Sequence, residues 1–282
     1  MDDADGRDPR MMRASDRVEA TRRALGTIGA FLPHSLAVPT PVEAQRAAVQ
    51  RLERAGYRSA WTNEVPGKDA LVQLAVLLAA TEHLVFGTGV ANIWVRPPQT
   101  AHGAAAQLAE AYPGRVVLGL GVGYAHQAAS VGAEFDRPLA MMRRYLARMN
   151  DPDARQIPAP DVDYLRIVGA NGPKMLALAA EHADGAMPAM VTPDFTTAAR
   201  LALGPDKLLV VLVDVSAKQG DIAAVTATVR THLAAGADHV VAGLPMGIDF
   251  ATGVDASRLS LRRSPPTFPG QEVTRRRRRV VC

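Results

Sequence analysis

The chain has 282 residues, 48% of them apolar and 21% charged, with 23 glycines, 20 prolines and one cysteine. That length suits one large α/β domain, the apolar fraction excludes a chain disordered throughout, and a single cysteine excludes an internal disulfide framework or a cysteine-based zinc site. The net charge of +4 sits in the tail: residues 262–282 hold seven Arg and one Glu, which leaves −2 for the other 261 residues.

Residues 1–24 are polar and charge-mixed, and they read as a loose N-terminal extension with at most a short helix. They contain no apolar core of a secretory signal, and no run in the chain approaches the roughly 18 apolar residues of a membrane span. A cytoplasmic protein is the expectation, with no membrane and no specific nucleic-acid partner. From Leu25 onward short apolar runs alternate with helical patterns, as in βα units. The predicted strands are 27–32, 59–63, 84–90, 116–120, 165–168, 185–187, 208–213 and 239–244. They are nearly continuous apolar runs, as strands buried on both faces must be. Helices are predicted over 41–55, 69–80, 98–111, 138–149, 173–183, 194–203 and 221–235, several of them opened by Pro and closed by Gly.

Eight strands with interleaved helices predict an α/β fold, a (β/α)8 TIM barrel over residues 25–261. An open doubly wound sheet is the alternative, but its glycine-rich turn after the first strand is missing: that strand runs into Phe31-Leu32-Pro33-His34. No closing eighth helix is evident beyond Pro245. Residues 262–282 read as a disordered basic tail, a solvated segment rather than a nucleic-acid contact, because no aromatic residue separates Arg275–Arg279.

A TIM barrel carries its chemistry at the carboxyl ends of its strands. His34, Glu64, Gly89, Val90, Asn92, Gly121, Gly123, Asn171, Gly172 and Lys174 all fall there. No histidine pairing suggests a metal, and a GxSxG nucleophile elbow is absent. Glycines at two neighbouring strand ends, 87–89 and 119–123, either let a flat ligand approach the backbone or serve tight packing. The Asn171-Gly172-Pro173-Lys174 turn opens a helix whose free N–H groups suit a phosphate, with Lys174 adding charge. Together these features describe a site for a flat phosphorylated cofactor. Glu64 is the candidate for proton transfer, being the only carboxylate just beyond the first four strands; a solvated loop acid or a partner for Arg96 is the competing reading.

The segments Gly87-Thr88-Gly89-Val90-Ala91-Asn92-Ile93-Trp94-Val95-Arg96-Pro97-Pro98, Tyr112–Gly123 and Gly172–Gly185 resemble the luciferase-like monooxygenases, and best the actinobacterial branch that uses the deazaflavin coenzyme F420. The resemblance implies an F420-dependent oxidoreductase that transfers a hydride to or from a small organic substrate. It implies a cofactor ring lying near Gly89-Val90, with Asn92, Gly121 and Gly123 close by, and a phosphate at Asn171, Gly172, Pro173 and Lys174. It also implies a non-proline cis peptide at Gly89-Val90, a substrate approaching from the side of His34, Glu64 and Trp94 with His34 and Glu64 as catalytic groups, and a homodimer. An FMN-dependent monooxygenase and a noncatalytic barrel are the alternatives. The sequence departs from the family pattern in a shortened segment between strands seven and eight, where Val213–Gly220 leads directly to the next helix.

Overall fold

The computed structural model describes residues 13–34, 38–218, 221–243 and 250–259. A closed barrel of eight parallel staves forms its centre. In chain order the strands are β1 (Ile28–Phe31), β2 (Ser59–Thr62), β3 (Val85–Thr88), β4 (Ala91–Asn92), β5 (Val116–Gly121), β6 (Leu165–Gly169), β7 (Gly185–Met187), β8 (Leu208–Asp214) and β9 (His239–Gly243). Each pairs in parallel with its neighbour, β9 pairs with β1, and β3 pairs with β5, which closes the ring. The open-sheet alternative is thereby excluded.

The helices are α1 (Ala14–Leu25), α2 (Val42–Arg54), α3 (Ala70–Leu78), α4 (Pro98–Ala111), α5 (Ala125–Ala129), α6 (Pro138–Asn150), α7 (Pro173–His182), α8 (Pro193–Leu203), α9 (Ile222–Ala234) and α10 (Phe250–Leu259). Strand residues facing outward, such as Phe86, Leu118 and Val240, pack against the helices. The others, Trp61, Val85, Ile167 and Val210 among them, fill the barrel interior. Burial on both faces is the reason the strands read as unbroken apolar runs. Asp69, Thr192 and Asp221 cap α3, α8 and α9 with side-chain oxygens, as short polar residues at helix starts do. After β8 a single turn, Ser216–Lys218, precedes α9, in keeping with the short connection in the sequence.

Three expectations are corrected. Residues 14–24 are not a loose extension: they form α1, which lies across the amino-terminal end of the barrel. Val18 and Leu25 enter the interior core, Arg17 pairs with Asp163 at 2.8 Å, and Arg22 pairs with Asp238 at 3.1 Å. A closing helix does exist: α10 packs on α2 through buried Phe250 and Val254, and Asp255 pairs with Arg51 at 3.0 Å. The predicted third strand, 84–90, ends early as β3 at Thr88, and a short β4 (Ala91–Asn92) continues the stave beyond it. Residues 1–12, Leu244 and the basic tail lie outside the described residues. Among the described residues no helix is long and apolar enough to cross a membrane.

The division of that strand follows from register. Gly87 is opposite Val117 and Ala91 is opposite Leu120, so three intervening residues on one stave face two on the other. One extra residue is a bulge, and it lies at the carboxyl end of the barrel. The Thr88 hydroxyl repairs the broken ladder. It donates to Gly119 O at 2.7 Å and accepts from Gly119 N at 2.8 Å.

Candidate functional site

The bulge residues Gly89 and Val90 stand half-buried at the barrel mouth and are joined by a cis peptide bond. They are fastened to β2 from one side. Gly89 N donates to Thr62 O at 2.7 Å, and Glu64 N donates to Val90 O at 3.1 Å. On the other side the Val90 side chain covers the ends of β5 and β6. A side chain at Gly121 would run into Val90 Cγ2, and a methyl at Gly169 would lie 3.3 Å from Val90 Cγ1. Gly121 is therefore required by the close approach of Val90. Of the two readings of this glycine in the sequence, close packing is the one the geometry displays. Gly123 packs in the same way against the Gln127 amide.

Glu64 follows β2 beside the bulge and is only 5% exposed. Its carboxylate forms a two-pronged pair with Arg96, with Nη1 at 3.1 Å from Oε2 and Nη2 on Oε1. It also accepts from Asn92 N at 2.7 Å and Ala70 N at 3.3 Å. Arg96 reaches Asp69 at 2.8 Å as well, so one guanidinium ties the β2 loop, the start of α3 and the segment after β4. A planar fork with fixed donors suits that task better than an ammonium would. Of the two readings in the sequence, the partner for Arg96 is the one in place. The carboxylate has four donors on it, which leaves it poorly placed for proton transfer.

Asn92 is also 5% exposed. Its side chain accepts from Trp94 N at 3.0 Å and donates to Gln127 Oε1 at 3.4 Å. Trp94 donates its indole N–H to Val122 O at 2.7 Å and meets Phe135 with ring centroids 5.9 Å apart, turning its polar edge inward. Asn171 braces the neighbouring stave: its amide donates to Ala189 O at 3.1 Å and accepts from Ala189 N at 2.8 Å. These three polar residues were read as site residues because they follow strands. Apart from the Asn92–Trp94 contact, their partners lie 18 to 41 positions away, which a local reading does not reveal.

His34 follows β1. Burial, and then the charge of Lys68, lower its pKa, so the imidazole is neutral at pH 7. Its Nδ1 is enclosed and has no hydrogen-bond partner among the described residues. Gly172, Pro173 and Lys174 open α7 with no side-chain cap, and the space beside Gly172 is free of protein atoms within 4 Å of where a Cβ would stand. This turn begins three residues after Gly169, the end of β6, where a Cβ would lie 3.3 Å from Val90 Cγ1.

One group escaped the sequence reading. Val65-Pro66-Gly67-Lys68 forms a tight turn, with Gly67 at φ +88° and Lys68 N donating to Val65 O at 2.9 Å. The Pro-Gly pair signals such a turn. It folds Lys68 back over the end of β2, where Nζ donates to Thr62 Oγ1 at 2.8 Å and Asn63 Oδ1 at 3.1 Å. Beside it lies a cavity of about 540 Å³ bounded by the 64–69 loop, Asn92, Arg96 and Gln127. Among the described residues no cluster of His, Cys, Asp and Glu is arranged to hold a metal.

Comparison with known proteins agrees with this architecture. A coenzyme F420-dependent oxidoreductase, so named, from Mycobacterium tuberculosis is 30% identical over 183 residues, 54% of this chain and 53% of that protein. The 5,10-methylenetetrahydromethanopterin reductase of Methanolobus tindarius is 29% identical over 151 residues, 48% of this chain and 46% of the relative. The chain thus spans about half the length of the curated relatives it matches. The solved structure of the coenzyme F420-dependent tetrahydromethanopterin reductase from Methanopyrus kandleri superposes with a TM-score of 0.65 at 14% identity, covering 83% of this chain and 98% of that one, which supports the fold. Residues 25–203 match the sequence profile of the luciferase-like monooxygenases, and this chain belongs to that family.

Proposed function

We propose that the chain is an F420-dependent oxidoreductase that transfers a hydride to or from a small organic substrate at the barrel mouth. The observation that carries this reading is the Gly89–Val90 bulge. It stands half-buried at the barrel mouth and is held by Thr62, Glu64 and the Thr88–Gly119 exchange, so it offers a rigid support for a flat ring system. The open start of α7 fits the cofactor's phosphate, with the unfilled space at Gly172 giving access to backbone N–H groups and Lys174 supplying charge. Family membership and the F420-dependent relatives favour the deazaflavin over FMN.

When bound, the deazaflavin supplies the hydride-carrying centre. The residues of this chain hold and orient it, and His34 handles the proton. Its neutral imidazole has a lone pair to take the proton that a substrate hydroxyl gives up, or returns a proton in the reverse direction. Glu64 serves as a positioning residue that fixes Arg96 and the bulge.

Fluorescence titration with F420 and with FMN tests the reading. Saturable F420 binding at least tenfold tighter than FMN is the expected result. The Gly172→Val variant sharpens it. Gly172 has φ −155°, an extended conformation that Val adopts freely, and no protein atom stands in the way, so the fold is retained. Its side chain would obstruct the phosphate, and loss of one charge-assisted hydrogen bond, worth about 1.5–3 kcal/mol, weakens F420 binding by about tenfold or more. Tighter FMN binding, or unchanged F420 affinity in the variant, would refute the cofactor or its placement respectively.

A further inference from the structure

Lys68 differs from the other cations described around the bulge. Arg96 is neutralised by Glu64 and Asp69. Lys68 Nζ is held only by two neutral oxygens, Thr62 Oγ1 and Asn63 Oδ1, and it makes no ion pair among the described residues. An ammonium has three protons to donate, so one remains for a further acceptor. The titratable and charged groups around it are the neutral His34 from the end of β1, Glu64 and Asp69 from its own loop, and Arg96 from the segment after β4. The two carboxylates are both committed to Arg96. Burial pushes the Lys68 ammonium down to about 8, partly offset by the charge of Glu64, so it is mostly charged at pH 7 and gains from an anion.

The cavity beside it, about 540 Å³, is of the size that takes a small organic molecule. Lys68 follows β2, whereas Gly172 follows β6. The two therefore lie on opposite flanks of the stave that carries the bulge. An anion on Lys68 is then not the cofactor phosphate placed at α7. A single ammonium balances a single negative charge, which favours a carboxylate over a phosphate dianion.

We propose that Lys68 and the adjoining cavity form a carboxylate-binding subsite, so that the organic substrate of this barrel is a small acid whose carboxylate rests on Lys68 Nζ and whose reacting carbon lies toward His34 and the bulge. The inference rests on the reading of the mouth given under Proposed function.

The test uses the full chain without cofactor, at pH 7 and constant ionic strength. Sodium acetate and its neutral counterpart acetamide are the probes, followed by NMR of the His34 imidazole. Wild type is expected to bind acetate saturably and at least tenfold more tightly than acetamide. Lys68→Met, which keeps the aliphatic stem, is expected to lose that preference, and Lys68→Arg, which keeps the charge, to retain most of it. Acetate affinity in the wild type should fall as pH rises through about 8. Equal binding of acetate and acetamide by the wild type, or an undiminished preference in Lys68→Met, overturns the proposal. A separate F420 titration distinguishes the sources of the anion. Equal F420 affinity in wild type and Lys68→Met supports a substrate subsite, whereas a tenfold loss in the variant assigns the ammonium to the cofactor and overturns it. Acetate binding that depends on Lys68, in a wild type that binds no F420, upholds the anion subsite and refutes the cofactor reading instead.

Discussion

Glu64 illustrates how a residue's neighbours decide its role. A carboxylate at a strand end looks like an acid–base group, yet here it receives Arg96 twice, Asn92 N and Ala70 N. With its side chain almost fully buried, removing the charge strands the Arg96 guanidinium beside Asp69 alone. Breaking such a pair from one side typically costs about 3–5 kcal/mol. Glu64→Gln should therefore lose stability on that scale in urea unfolding, and its F420 affinity should fall as the bulge loosens. A variant with wild-type stability would show that the pair holds nothing in place. At this scale the positions of the candidate residues were legible from strand ends. The direction of each side chain was not, since Asn171 and Glu64 spend polar groups on Ala189 and Asn92 backbone that only the fold brings near. Lys68 went unread for the same reason: the Pro66-Gly67 turn is visible in the sequence, but not that it returns the lysine to the end of β2.

Elements were legible in proportion to their apolar content. The strands and most helices lie within a few residues of their predicted bounds, because burial on two faces leaves long apolar runs and helix ends carry Pro, Gly or a capping oxygen. Three helices were not recognised for what they are: the five-residue α5 and α10 were not predicted, and α1 was not read as a packed plug. In α1 only Val18 and Leu25 are fully buried, and its arginines face carboxylates and carbonyls at the amino-terminal end of the barrel. In α10 the buried pair is Phe250 and Val254. In α1, two buried apolar positions in twelve residues make a weak stripe. The plug has a measurable consequence. Val18 is 1% exposed, so Val18→Ala removes two buried methyl groups and leaves a small cavity, costing roughly 2 kcal/mol. Chemical denaturation reads this directly, and a change within 0.5 kcal/mol would mean the helix is not seated.

The barrel as a whole was readable because its alternation of buried strands and helices leaves few topologies open. What the sequence did not reveal is how its interior is satisfied. His239 lies fully inside, its Nδ1 donating to Gly26 O at 2.8 Å and its Nε2 accepting from the Trp61 indole at 3.1 Å. Burial pushes its pKa down to about 4, against 6.5 when free. The unfolded chain takes up a proton there below about pH 6.5 while the folded chain does not. This contribution is therefore complete above pH 6.5 and is lost as pH falls toward 4. At 1.36 kcal/mol per pKa unit it amounts to about 3 kcal/mol. Wild type should lose that much more stability between pH 7 and pH 4 than His239→Asn, measured by urea unfolding at each pH; equal losses would mean that His239 is not held neutral inside the barrel.

The central claim is that the bulge and the open start of α7 together form one cofactor site. A crystal structure of the chain with F420 tests it most directly. The account predicts the deazaflavin ring against Gly89 and Val90, its phosphate at the backbone N–H groups of Gly172 and Lys174, and His34 on the substrate side of the ring. A ring bound away from the bulge, or a phosphate held on the Lys68 flank with α7 left open, would contradict it.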